Sequence, residues 1–153
     1  MEKKSILVIL VIIILLAIAG AYALSQPNGS DTQVKVGSAT FNLPNGFHSA
    51  ASDKDDVVNI TNGYDTLLLK ECGEKNITKY TKSYVKNAKD KNLSVQMKNF
   101  TADNVVVYKS KLVNNTKNIH YWFEHDGKVY TCYTYDGNDN TDNVVVDLIK
   151  SLN

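Results

Sequence analysis

From Ile6 to Leu24 the chain is apolar without a single charge, rich in Ile, Leu and Val. A helix of these 19 residues is about 28 Å long at ~1.5 Å per residue, close to the ~30 Å hydrocarbon core of a bilayer. Lys3 and Lys4 precede the run and hold the short N-terminus in the cytoplasm, so everything after Leu24 is expected outside. Ala21-Tyr22-Ala23 also fits the small-x-small pattern before a signal-peptide cut. A signal h-region usually runs about 7–15 residues, shorter than this one, so residues 1–24 are expected to be a retained signal anchor. Either outcome exports the rest of the chain.

Residues 25–33 are polar, with Pro27 and Gly29, and read as a linker. Residues 34–153 suffice for one extracytoplasmic domain with one core. The formal net charge is +1, so bulk electrostatics give no case for nucleic acid. All 17 basic residues are lysine. Without arginine there is no bidentate fork for planar recognition of phosphate or carboxylate. The wealth of Asn, Ile, Lys and Tyr looks like the imprint of a low-GC genome.

Six sequons are present, at Asn28, Asn59, Asn76, Asn92, Asn99 and Asn114, each with Ser or Thr two places on. Asn-rich turns inflate such a count, but in an exported domain the pattern points to a glycosylated surface. The two cysteines, Cys72 and Cys132, both follow the anchor. An even number in an exported domain suggests a disulfide, although two buried thiols would fit the same count. The bridge would close a loop of about 60 residues and contribute about 4 kcal/mol on the chain-entropy model. With no CxxC, metal or redox work is not indicated.

Strands are expected at Thr40–Leu43, Val57–Thr61 and Tyr64–Glu71, the last two joined through Asn62-Gly63 as a two-residue hairpin. From Asn76 to Lys89 the period changes to that of a helix. Ile77, Tyr80, Thr81, Tyr84, Val85 and Ala88 share one face, and Asn76 stands as N-cap. Strands resume at Ser94–Phe100, Val105–Val113, Asn118–His125 and Lys128–Tyr135. Asp126-Gly127 closes the last pair, setting Phe123 opposite Tyr130 and Tyr121 opposite Cys132. Both faces of that hairpin carry apolar residues, so both are expected to be covered. A terminal helix from about Asn140 to Leu152 buries Val144, Val145, Leu148, Ile149 and Leu152, with Asp139 or Thr141 as its cap. Short connections and two amphipathic helices make this an α+β domain: one curved antiparallel sheet with two helices packed on it.

A strand running into Pro44-x-Gly46-Phe47, an Asn-Gly hairpin, a mid-chain helix, a meander and a terminal helix ending Ile149-Lys150-Ser151-Leu152 resemble the PsbP-like fold over roughly residues 36–153. In anchor and layout the chain is also similar to single-pass, lysine- and asparagine-rich surface proteins of methanogenic archaea. The resemblance implies a binding or accessory module more than an enzyme, and no functional residue carries over with it.

Three groups of residues invite chemistry. Asp136, Asn138, Asn140 and Asp142 alternate as hard oxygen ligands in an EF-hand loop do, which makes them a weak calcium candidate. Thr141 stands where that loop needs glycine, and a turn with a helix cap explains the same residues. His120 and Glu124 share a strand face, whereas His125 points the other way, so one metal cannot take both histidines. Lys79, Lys82, Lys86 and Lys89 form a stripe on the middle helix that suits anionic lipid heads or an acidic polymer, or simply a solvated face. There is no GxSxG, GxGxxG or P-loop. The expectation is a non-enzymatic binding or accessory domain without a cofactor beyond the calcium candidate. Its partners would be the bilayer, through residues 6–24, and a surface protein or polymer. A small envelope hydrolase or transferase using His120 and Glu124 is the alternative, and a pocket joining the two would favour it.

Overall fold

The computed structural model describes residues 32–74 and 76–152. The expected anchor, residues 1–24, and the sequon Asn28 lie outside them. Among the described residues no helix is long and apolar enough to cross a membrane.

Among the described residues, nine strands and two helices follow in the order β1 Gln33–Val36, β2 Ala39–Asn42, β3 His48–Ala50, β4 Val58–Thr61, β5 Thr66–Glu74, α1 Ile77–Asp90, β6 Val95–Ala102, β7 Val105–Leu112, β8 Ile119–His125, β9 Lys128–Thr134 and α2 Thr141–Lys150. Strands β3 to β9 form a seven-stranded sheet in the order β3-β4-β5-β9-β8-β7-β6, and β1 and β2 form a separate hairpin. Every strand pair is antiparallel. The α+β class stands. The expected single sheet is corrected to a sheet plus a hairpin, and β1 and β3 are additional strands.

Period-2 alternation builds the core. Ile119, Tyr121 and Phe123 of β8 face the same side as Tyr130 and Cys132 of β9, with Phe123 opposite Tyr130 and Tyr121 opposite Cys132 as expected. Leu67 and Leu69 of β5 and Ile60 of β4 continue this surface. Helix α2 covers it with Val144, Val145, Leu148 and Ile149, all buried, and Leu152 packs just beyond the helix end. The β1–β2 hairpin covers the rest: the Phe41 ring meets Tyr130 at 5.8 Å and Phe123 at 6.3 Å, both edge-on.

The hairpin is tied down by Glu71. Its carboxylate accepts from the Ser38 backbone N–H and hydroxyl, both at 2.7 Å, and from the Tyr130 hydroxyl at 3.1 Å. The Ser38 backbone donor first, then its hydroxyl, hold Glu71 below the usual carboxylate range. Gly37 makes the approach feasible. It sits at φ +58°, and a Cβ there would collide with Glu71.

Helix α1 lies on the opposite face of the sheet. Asn76 caps it as the sequence predicts, its side chain accepting from Lys79 N–H at 3.1 Å. Past the C-cap Lys91, Asn92 takes the left-handed conformation at φ +57° while Leu93 N–H bonds back to Ala88 O. The central β8–β9 hairpin is therefore covered on both sides.

Candidate functional site

The α1 side of the sheet carries a cluster of polar aromatic groups. Alternation turns His120, Trp122 and Glu124 of β8 to this face, with Tyr133 of β9 beside His120 and Tyr108 of β7 beside Trp122. Tyr84 descends from α1 onto them, 4.6 Å from the His120 ring and 5.0 Å from Trp122. His120 stacks on Tyr133 at 4.9 Å and on Trp122 at 5.6 Å. Burial lowers the His120 pKa to about 4, so the imidazole is neutral at pH 7. Burial likewise raises the Tyr84 phenol, and the Ser110 hydroxyl beside it works the other way. A cleft of about 310 Å³ opens next to this stack, between Tyr84, Lys91, Leu93, Asn118, His120 and Tyr135.

Glu124 faces the same side but opens into a different cleft, of about 430 Å³, with Ile77, Val106 and Tyr108. Trp122 stands between His120 and Glu124 on the strand. The shared face expected from the sequence is present, and the two residues on it line different clefts. His125 turns elsewhere, with Nε2 3.3 Å from Asp126.

A third groove, of about 470 Å³, runs between α1 and strands β6 and β7. Thr81, Val85, Met97 and Tyr108 line it together with Lys82, Lys86 and Lys89. All four lysines of the helical stripe are exposed, and Lys79 lies outside the groove. Val85, expected in the core, is 37% exposed. The helix rests on Thr81 and Ala88, so Val85 is turned toward the groove rather than onto the sheet. Met97 and Tyr108 were not singled out by the sequence. The one signal was Met97 itself, an apolar side chain in the polar stretch Gln96-Met97-Lys98-Asn99.

The calcium candidates, in the turn and the start of α2, each hold other partners. Asp136 pairs with Lys117 at 3.1 Å. The Asn138 amide nitrogen donates to Asp65, and its oxygen accepts from Asn140 N–H. The Asn140 side-chain oxygen accepts from Asn143 at 3.2 Å. Asp142 accepts from Lys109 and Tyr121. All four ligand candidates are thus engaged by hydrogen bonds or ion pairs as turn and helix-start residues, and Asn138 is bonded to Asn140, itself one of the four. Among the described residues no group of three or more His, Cys, Asp and Glu could hold a metal. The N-cap of α2 is Asn140, not Asp139 or Thr141, and it makes no side-chain cap bond. Instead the Thr141 hydroxyl accepts from Asn138 N–H at 2.9 Å.

The disulfide expectation is corrected: Cys72 and Cys132 are both free thiols. Cys132 pairs across the sheet with Leu69, three residues short of Cys72, and three strand residues span about 10 Å. Cys72 sits at the bulge between Glu71 and Gly73, whereas Cys132 lies fully buried in the α2-side core, where burial pushes its thiol up. Of the sequons, Asn76, Asn92, Asn99 and Asn114 are exposed. Asn59 is half-buried in β4, and its side chain donates to Ala51 O at 2.8 Å.

Asp142 has structural work instead of ligation. Lys109 approaches its two oxygens at 2.5 and 2.6 Å, and the Tyr121 hydroxyl donates at 2.6 Å. Burial would raise this carboxyl, but the bonds from Lys109 and Tyr121 and the lysine charge outweigh it, leaving it below the usual range. Asp142→Ala strands a buried phenol and a largely buried ammonium. Solvent screening of the half-exposed carboxylate limits the expected cost to about 1–3 kcal/mol, with Asp142→Asn between it and the wild type. Urea titration checks this, and an unshifted midpoint for Asp142→Ala would remove the network from the stability account.

No family model matches the chain, and no curated protein matches it. Among solved structures the fold is similar to cyanobacterial PsbP (CyanoP) from Synechocystis sp. PCC 6803. The TM-score is 0.45 and the identity 15%, over 73% of this chain and 84% of that one. The likeness is one of α+β layout and brings no functional residue with it.

Proposed function

We propose that this chain is a membrane-anchored, extracytoplasmic binding or accessory module without catalytic activity. The observation that carries the reading is the α1 face. It offers three clefts of ligand size, lined by aromatic, aliphatic and lysine side chains. The two residues best suited to acid–base work, His120 and Glu124, fall in different clefts, and His120 is held neutral within an aromatic stack. That separation speaks against an envelope hydrolase or transferase built on this pair. The anchor reading rests on the apolar run 6–24 behind Lys3 and Lys4, and the four exposed sequons suit an external surface.

Protease added outside intact cells is expected to digest the domain beyond Ser25 and to leave an N-terminal epitope protected. A domain that survives until the cells are lysed overturns the topology. Mass spectrometry of the mature N-terminus separates the two export routes, since a chain beginning at Leu24 has been cleaved.

A further inference from the structure

The geometry points to a binding site for a single-chain anionic amphiphile, a long-chain carboxylate, in the groove between α1 and strands β6 and β7. This deepens the binding-module reading and rests on it. The floor of the groove is apolar. Val85 and Met97 are 37% and 36% exposed at a helix–sheet seam, where such side chains normally pack against each other, and Tyr108 of β7 lines the groove with them. The rim is cationic. Lys82, Lys86 and Lys89 follow one another at helical spacing along one flank, a span of about 10 Å at ~1.5 Å per residue. None of the three has an ion-pair partner among the described residues, and no carboxylate lines the groove.

An occupant must satisfy both parts. A plain polyanion would meet the lysines and leave the floor wet. A neutral or cationic chain would cover the floor and leave the charges unpaired. A flat bilayer would meet the lysine heads first, with the floor still below them. A single apolar chain ending in a carboxylate covers the floor and sets its one negative head within the cationic rim, and the groove's volume of about 470 Å³ is in the range of small-molecule sites. Lysine also suits a mobile head group, being a compact charge on a flexible stem. Met97 can adapt its side chain to an irregular alkyl chain.

The chain carries its own reporter. Trp122 is the single tryptophan, and its cross-strand partner is Tyr108 in the groove floor. The full-length chain in nanodiscs of neutral lipid is titrated with a long-chain carboxylate bearing a nitroxide near its tail, and Trp122 fluorescence is read. Saturable quenching is expected, and the equivalent alkylamine should give none. The triple variant Lys82→Gln, Lys86→Gln, Lys89→Gln should bind about tenfold more weakly, the sum of three screened charge contacts. Met97→Glu should abolish binding. All four positions are exposed, so an unchanged thermal midpoint verifies folding. Equal quenching by the amine, or none by the carboxylate, overturns the site. So does quenching by a nitroxide-labelled anionic phospholipid in the disc that matches the carboxylate, since it would mean bilayer contact. An acidic amphipathic peptide that binds through the same lysines while the carboxylate does not also overturns it, but leaves the binding-module reading standing.

Discussion

Leu148→Ala is expected to lower the unfolding free energy by about 2–5 kcal/mol, and Lys150→Ala, two residues on, by less than about 0.5 kcal/mol. Leu148 is 1% exposed, in one cluster with Val145, Ile149, Tyr121, Phe123 and Phe41. Truncating it loses the transfer energy of its branched end and leaves a cavity between helix, sheet and hairpin that rigid aromatic rings cannot close. Lys150 points to solvent. A domain of this size is stable by only ~5–15 kcal/mol, so the first change is a large share of the total and the second is near the noise. Denaturant midpoints decide. If the two variants unfold together, α2 does not close the core.

The strength of that expectation reflects what was legible beforehand. The apolar positions Val144, Val145, Leu148, Ile149 and Leu152 could be read from a 3.6 period; the first four are buried in α2, and Leu152 packs just past its end. The β8–β9 hairpin was legible from two consistent signals. Asp126 and Gly127 take φ +46° and +74°, and the residues they align alternate apolar on both strands. Asn62-Gly63 carried the same two-residue signal and misled. The Asn62 side-chain oxygen accepts from both Tyr64 and Asp65 N–H, which widens the turn to four residues and leaves Thr61 opposite Thr66. A side chain competing for backbone donors is invisible to a dipeptide rule. Conversely, Asp103 and Asn104 form a true two-residue turn with φ +46° and +65°, although neither is glycine. β3 contains His48, Ser49 and Ala50 and has no apolar alternation to announce it.

Site geometry was less legible, because it depends on which strand lies beneath which helix. The lysine stripe follows from helical spacing alone. The groove under it needs β6 at the sheet edge with β7 next to it, an order that a chain-local pattern does not contain. The cysteines fail for a related reason. Their strands are neighbours, yet a three-residue offset along the β5–β9 ladder keeps the thiols apart. The face shared by His120 and Glu124 was legible from alternation. The wall between them is Trp122, which Tyr84 pins from a helix nearly forty residues earlier in the chain.

His120 supplies the second large effect, a loss of stability on mild acidification. Its folded pKa is about 4, against about 6.5 in an unfolded chain, and the cause is burial. Tyr84 of α1, Trp122 of β8 and Tyr133 of β9 enclose the ring, and the cation lining the same cleft is Lys91. No carboxylate lines that cleft to favour the imidazolium. Between the two pKa values the unfolded chain binds a proton that the folded chain refuses. Stability is therefore complete above about pH 6.5 and falls as the pH drops toward 4, by at most about 3 kcal/mol. The depressed carboxyls of Asp142 and Glu71 act in the same direction, but only below the ordinary carboxylate range of ~4, beneath most of this window. His120→Phe retains an aromatic ring in the stack and cannot take up a proton. Urea midpoints measured from pH 7.5 down to 4.5 should fall steeply for the wild type and much less for His120→Phe. Parallel declines would mean that the imidazole is hydrated and charges inside the fold, and the aromatic stack could then not be what keeps His120 out of acid–base chemistry.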